Sequence, residues 1–543
     1  MADNDTSEKP KGPHFWDSLP GLVLLVAAIL LARYYILEPY KIPSGSMEPT
    51  LIGHEDFGDR IVTNKLAFAP KSQVYTVIAG SIAVILLCFA ASKAWKRTKA
   101  IVFWVLMFLA VPGGLFVALM QEAVASDPKR FGVTVFNFDN EWIGGSSQKI
   151  NYIKRMWGLP GEELRISGGD IFKRQGTGYE ILRKPDELQE AMWFPVANAW
   201  SKHVNSEWSE ADQKKFLFPW SGADEPTLGA KLLKDRLELD GSAPVKLEYK
   251  HSVTNVYVKQ GRWPFTHQGC PKVKAQENPP DAQGIVWRNP KALKEDFDAY
   301  ISGTSNGVQC VHCKELLFPI VPVPASSEPQ IIERSRGTNF LYGGNHISGD
   351  QRIDLEVNVE TPGTITLEAG STLNRAVWSL GGSVTAAEGV HALKDTPALS
   401  AGRHMLSLRY VDATVSAWLD GKEIERRELS LQPSMAKYKN VASLAQISFA
   451  GFKGSVTALN LYRDFFYTPP LSARSSREDT RRGIEQDGSG DYWVKLDSNS
   501  YLMLGDNSAG SSDGRNWGSV PREELIGRAG VVWWPPSRWR VIK

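Results

Sequence analysis

The sequence predicts a mainly β protein, with a strand-built core anchored by three transmembrane helices and interrupted by an inserted, jelly-roll-like β-sandwich. Three observations lead there. Apolar runs occur at Leu19–Leu37, Val74–Ala91 and Ala100–Met120, each close to the roughly 20 residues a spanning helix needs. Between residues 353 and 463 hydrophobic and polar residues alternate with period two, the signature of half-buried strands. The 543 residues include 18 Trp and 47 Gly, a composition suited to strands and turns, and the length implies two or more domains.

Each element follows in order. Residues 1–13 are polar, rich in charge and turn formers, and read as a disordered cytoplasmic tail. Residues 14–37 form the first transmembrane helix. Arg33 interrupts it, so this side chain must snorkel to the interface. Residues 38–73 begin the core. Helices 74–91 and 100–120 then make a transmembrane hairpin whose tip, 92–99, carries Lys93, Lys96, Arg97 and Lys99. Basic loops stay cytoplasmic, which places both outer ends of the hairpin, and the chain after residue 37, on the opposite side. Residues 121–197 and 491–543 complete the core, and Arg-rich residues 469–490 form a linker.

The insertion, 198–468, shows its strands through spacing. Ile353, Leu355, Val357 and Val359 alternate with polar residues, as do Ile365 with Leu367 and Leu406 with Leu408 and Tyr410. Leu419-Asp420-Gly421-Lys422 carries the Asp-Gly signal of a two-residue hairpin. Many short strands with Gly-rich turns argue for a sandwich, distantly similar to the concanavalin/laminin-G jelly rolls. Its ligand is unspecified, because fold does not imply function.

Sixty-two basic and 60 acidic residues leave a formal charge of +2, so no basic face argues for nucleic acid. Cys88 reads as a small residue in an apolar run. Cys270, Cys310 and Cys313, with His267, leave three readings open: a disulfide, free thiols, or zinc, for which the paired CxxC spacing is lacking.

The chemistry resides in three segments. Pro43-Ser44-Gly45-Ser46-Met47-Glu48-Pro49-Thr50 is a hydroxyl-rich turn just beyond an apolar segment. Tyr152-Ile153-Lys154-Arg155-Met156-Trp157-Gly158-Leu159-Pro160-Gly161 puts a lysine beside an apolar wall. Gly505-Asp506-Asn507-Ser508-Ala509-Gly510-Ser511-Ser512-Asp513-Gly514-Arg515 is a loop rich in small and charged residues. A serine needs a base to become a nucleophile. No histidine lies in these segments, and a lysine can serve if burial lowers its pKa toward neutrality. A strand through 151–154 aims Tyr152 and Lys154 to one face.

Together, and in this order, the segments resemble the bacterial type I signal peptidases, membrane-bound serine endopeptidases with a Ser–Lys dyad. The resemblance implies a signal-peptidase-type β catalytic core and a role for each matching residue. Ser46 is the nucleophile. Lys154 is the general base and then the general acid. Ser44 with the Ser46 amide forms the oxyanion hole. Ser511 orients the lysine, and Asp513 with Arg515 forms an ion pair that holds a loop opened by Gly505, Asp506 and Asn507. The third segment departs from the family at Ser508-Ala509-Gly510 and at Gly514, which puts the stiffness of that loop in question while keeping its length. Asp59-Arg60-Ile61-Val62-Thr63-Asn64-Lys65 and Gly527–Pro535 read as structural strands.

No cofactor or metal is implied. The implied partners are the signal peptides of exported preproteins, bound as an added strand, membrane lipid and the secretion translocon. The implied location is the bacterial inner membrane, multi-pass, with the catalytic domain on the periplasmic face. Two other readings remain: a Ser–Lys protease dedicated to one secretion or pilin-type substrate, and an inactive membrane-anchored protein that carries a lectin-like sandwich. The motifs all lie outside 198–468, which makes the insertion look separable.

Overall fold

The computed structural model describes residues 33, 36–47, 50–53, 58–69, 72, 127–139, 149–199, 220–222, 229–249, 252–254, 265–267, 285–287, 320–322, 349–371, 374–433, 443–467, 484–486, 492–508 and 511–543. The expected tail, the hairpin 74–120 with its basic tip, nearly all of the first apolar run, and Cys88, Cys270, Cys310 and Cys313 lie outside them. Among the described residues no helix is long and apolar enough to cross a membrane. What is described is mainly β, in two compact units: Met1–Lys41, Arg60–Met156 and Arg522–Ile542 form one, and Ile42–Asp59 with Trp157–Pro521 forms the other.

The first unit is an antiparallel sheet. Strand β1 (Leu37–Lys41) pairs with β2 (Arg60–Asn64). β2 pairs with the strand Leu525–Trp534, which pairs with β3 (Val133–Asp139). β3 in turn pairs with β4 (Lys149–Gly158). The Gly527 backbone runs so close to β2 that a Cβ there would stand 2.5 Å from the Asn64 carbonyl. Along β3, Val133, Val135, Phe136 and Phe138 are buried. β4 passes from exposed residues 149–151 to fully buried ones from Lys154 onward.

The second unit contains a small sheet and a large sandwich. In the small sheet β5 (Glu163–Ser167) pairs with β6 (Asp170–Gln175) and with Tyr492–Lys495. β6 pairs with β7 (Gly178–Ile181). The sandwich has two sheets over one hydrophobic core. One is centred on Gln351–Thr361, flanked by Gly402–Val411 and Lys453–Arg463. The other is built around Thr364–Ser371, between Arg375–Leu380 and Ser443–Ala450. Ile353, Leu355, Val357, Ile365, Leu367, Leu406, Leu408 and Tyr410 all face that core, the packing that their alternation dictates. At the hairpin tip Asp420 and Gly421 both take positive φ, 50° and 79°, as the tight turn closing Leu419 on Lys422 requires.

The sandwich reaches beyond 198–468. After the short helix α1 (Asp186–Met192), β8 (Phe194–Asn198), placed by the sequence reading in the core, pairs with Lys453–Arg463. Phe172 and Ile181 of the small sheet share a hydrophobic cluster with Ala413 and Leu431 of the sandwich. The Ser167 hydroxyl donates to the Pro433 carbonyl at 2.8 Å. These contacts join residues that periodicity alone assigns to separate bodies.

Candidate active site

Ser46 lies in a one-turn 3-10 segment, Gly45–Met47, and is buried. The base of its loop is closed by Asp59, which is fully buried: Ile42 N–H donates to the Asp59 carbonyl at 2.9 Å, and Ile52 N–H to the Asp59 carboxylate at 2.9 Å. Gly53 passes directly beneath Ser44, where a Cβ would fall 1.8 Å from the Ser44 carbonyl oxygen. Ser44 itself is exposed.

The loop that begins at Gly505 grips the same turn. Asn507 N–H donates to the Ser46 carbonyl at 3.1 Å, and the Asn507 amide Nδ2 donates to the Gly45 carbonyl at 3.0 Å. One residue thus fixes two successive peptides of the serine turn. A Cβ at position 505 would stand 2.1 Å from Ser511 Oγ and 2.6 Å from the Ser46 carbonyl, so only glycine lets these three approach. Ser511 Oγ is a buried hydroxyl without a hydrogen-bond partner among the described residues, a state that costs about 1–3 kcal/mol unless a partner is supplied.

The remainder of the loop is held by an ion pair. Arg515 Nε and Nη2 donate to the two Asp513 carboxylate oxygens, each at 2.9 Å, and both side chains are at most 1% exposed. The planar fork suits this bidentate contact. Asp513 also caps the short helix Gly514–Trp517 and accepts from Gly505 N–H at 2.9 Å. Ser508, one of the departures from the family pattern, accepts from Arg515 through both its hydroxyl (2.6 Å) and its carbonyl (2.7 Å). Ser508 therefore stays tied to the ion pair. The grip of Asn507 and the part taken by Ser508 are invisible in sequence, since both depend on where the turn returns in space.

Lys154 belongs to the first unit. It sits on β4 opposite Thr134 of β3 and is 3% exposed. Its ammonium lies 5.5 Å from the centroid of the Tyr152 ring, so the two do share a face. Burial raises the Tyr152 phenol above its ordinary value. Next along β4, Arg155 donates to the Phe131 carbonyl at 2.7 Å and is fully buried.

A second charged cluster lies in the second unit, with Lys184 Nζ 5.8 Å from the centroid of the Trp157 ring. Lys184 Nζ donates to Asp412 Oδ2 and Asp464 Oδ2, both at 2.7 Å. Gln189 Nε2 donates to the other Asp464 oxygen at 2.9 Å. Asp170 and Asp350 are also buried, and each can bring a carboxylate oxygen within 4.8 Å of Asp412. Burial pushes Lys184 toward neutrality, but Asp412 and Asp464 outweigh it and hold its pKa above the ordinary lysine value. Asp464 moves up, because burial exceeds the pull of Lys184. Both directions fit a charged lysine among more carboxylates than it can neutralise.

With this geometry in place, similarity to known proteins adds the family. The sequence matches the family "Signal peptidase, peptidase S26" over residues 16–191 and 419–534, more than half of its length. The chain belongs to this family. Individual relatives align over shorter stretches. It is 31% identical to the signal peptidase I of Pseudomonas aeruginosa over 139 residues, 26% of this chain and 30% of the relative. To that of Buchnera aphidicola it is 28% identical over 177 residues, 32% of this chain and 40% of the relative. To that of Haemophilus influenzae it is 42% identical over 64 residues, 11% of this chain and 17% of the relative. The chain thus spans well under half the length of these relatives.

Proposed function

We propose that this member of the signal peptidase family is a serine endopeptidase that removes N-terminal signal peptides from exported preproteins. The observation that carries the reading is the double hydrogen bond from Asn507 to Gly45 and Ser46, backed by the buried Asp513–Arg515 pair. A nucleophile must be held rigidly to meet a carbonyl at the right distance, and this loop does that for Ser46.

In the proposed mechanism the Lys154 amine, neutral when active, takes the Ser46 hydroxyl proton as Oγ attacks the scissile carbonyl. The Ser46 N–H and the Ser44 hydroxyl stabilise the tetrahedral oxyanion. Lys154 returns the proton to the leaving amine, and water then hydrolyses the acyl-enzyme by the same route. Ser511 orients the amine. The substrate is an extended segment with small side chains before the cut, at the surface of the inner membrane, delivered by the translocon. The catalytic face is periplasmic, and the sandwich binds a ligand or partner of its own. The test uses a short synthetic signal-peptide substrate. Ser46→Ala and Lys154→Arg should each abolish cleavage, because arginine does not deprotonate. Full activity of Lys154→Arg would rule the dyad out.

A further inference from the structure

The segment that leaves the sandwich meets the loop that grips Ser46. From the strand Lys453–Arg463 it passes Asp464, whose N–H donates to the Asp350 carbonyl at 3.0 Å and whose carboxylate holds Lys184. Three residues on, Tyr467 N–H donates to the Gly169 carbonyl at 3.1 Å. Gly169 has φ 93°, and a Cβ there would strike the Phe466 ring at 2.3 Å. The segment is therefore clamped on both sides. The clamp delivers the Tyr467 ring, 3% exposed, to a point 5.7 Å from the guanidinium carbon of Arg515. The same ring meets Trp157 edge-on at 5.3 Å, and Trp157 lies on β4, the strand that carries Lys154.

We propose that Tyr467, supplied by the inserted domain, is a positioning residue for the reaction: its ring fixes the Arg515 guanidinium, and through it Asp513 and the loop that grips Ser46. A buried guanidinium over a ring is held by the electrostatics of the π face as well as by packing. Arg515 spends its donors on Asp513 and Ser508 in its own plane, which leaves its flat face for the tyrosine. The insertion is then part of the catalytic apparatus, since its exit segment presents the ring.

This rests on the signal-peptidase reading, and the experiment separates the two. The full-length chain is assayed on the synthetic signal-peptide substrate, with kcat and KM measured separately and folding checked by circular dichroism. If wild type shows no cleavage, the functional reading fails. If wild type cleaves, Tyr467→Leu should lower kcat on the order of tenfold, the rate equivalent of losing a desolvated cation–π contact, with KM within about twofold of wild type. Tyr467→Phe, which keeps the ring, should recover at least half of the wild-type kcat. A Leu variant as fast as wild type overturns the proposal, as does a Phe variant as slow as Leu. Should Tyr467→Leu not fold, Tyr467→Met replaces it. Failure of both to fold also overturns the proposal, since the ring would then serve the fold and not the loop.

Discussion

Removing the Lys184 ammonium should be among the most destabilising single changes outside the candidate site. The amine sits 2.7 Å from both Asp412 and Asp464, with side-chain exposures of 2%, 10% and 1%. At an effective dielectric of about 20, each such contact carries a gross attraction of about 6 kcal/mol. Most of that offsets the desolvation of three buried charges, so the pair adds little net stability over an apolar replacement. Breaking it is a different matter. Lys184→Met leaves two carboxylates, with Asp170 and Asp350 nearby, and no ammonium; such losses cost about 3–5 kcal/mol. The triple variant Lys184→Met/Asp412→Asn/Asp464→Asn removes the stranded charge and should recover most of this. The assay is urea unfolding followed by tryptophan fluorescence. Trp157, 5.8 Å from Lys184 Nζ, contributes to that signal. A Lys184→Met midpoint equivalent to less than about 1 kcal/mol of destabilisation would refute the reasoning.

Other consequences can be measured alongside. Because the Lys184 pKa is raised on folding, its contribution is complete below the unfolded value of about 10.4 and fades as pH rises through the higher folded value; the gap in stability between wild type and Lys184→Met should thus be flat from neutral pH to about 10 and close only above it. Gly505→Ala forces a Cβ onto Ser511 Oγ and the Ser46 carbonyl and should lower kcat about a hundredfold, the scale of a 1 Å misplacement, in a protein that still folds. Asp513→Asn strands the buried Arg515 charge and should cost about 3–5 kcal/mol, read as a lowered urea midpoint, whereas Ser512→Ala should not shift it.

How much was legible in the sequence depends on range. Local rules showed the alternation at Ile353–Val359, the Asp-Gly hairpin at 420–421 and the shared face of Tyr152 and Lys154, because each follows from the geometry of one strand or turn. The motif order brought Ser46, Gly505–Asn507, Ser511, Asp513 and Arg515 to attention before any coordinate. What stayed hidden is long-range. Lys184 meets partners 228 and 280 residues away, and no periodicity encodes such a meeting. β8 looks like core because it precedes the insertion, yet its backbone pairs with Lys453–Arg463 and extends a sandwich sheet. Tyr467 sat between a closing strand and a charged linker, with no pattern of its own. The apparent separability of 198–468 rested on where motifs fall, and motifs do not report what supports them.

The most direct test of the central claim is cleavage of a full preprotein by the full-length chain in detergent micelles, with the mature product's N-terminus sequenced. The account predicts one cut at the signal-peptide junction, after small residues, and none with Ser46→Ala. An uncut preprotein, a cut elsewhere, or equal cleavage by Ser46→Ala would contradict it.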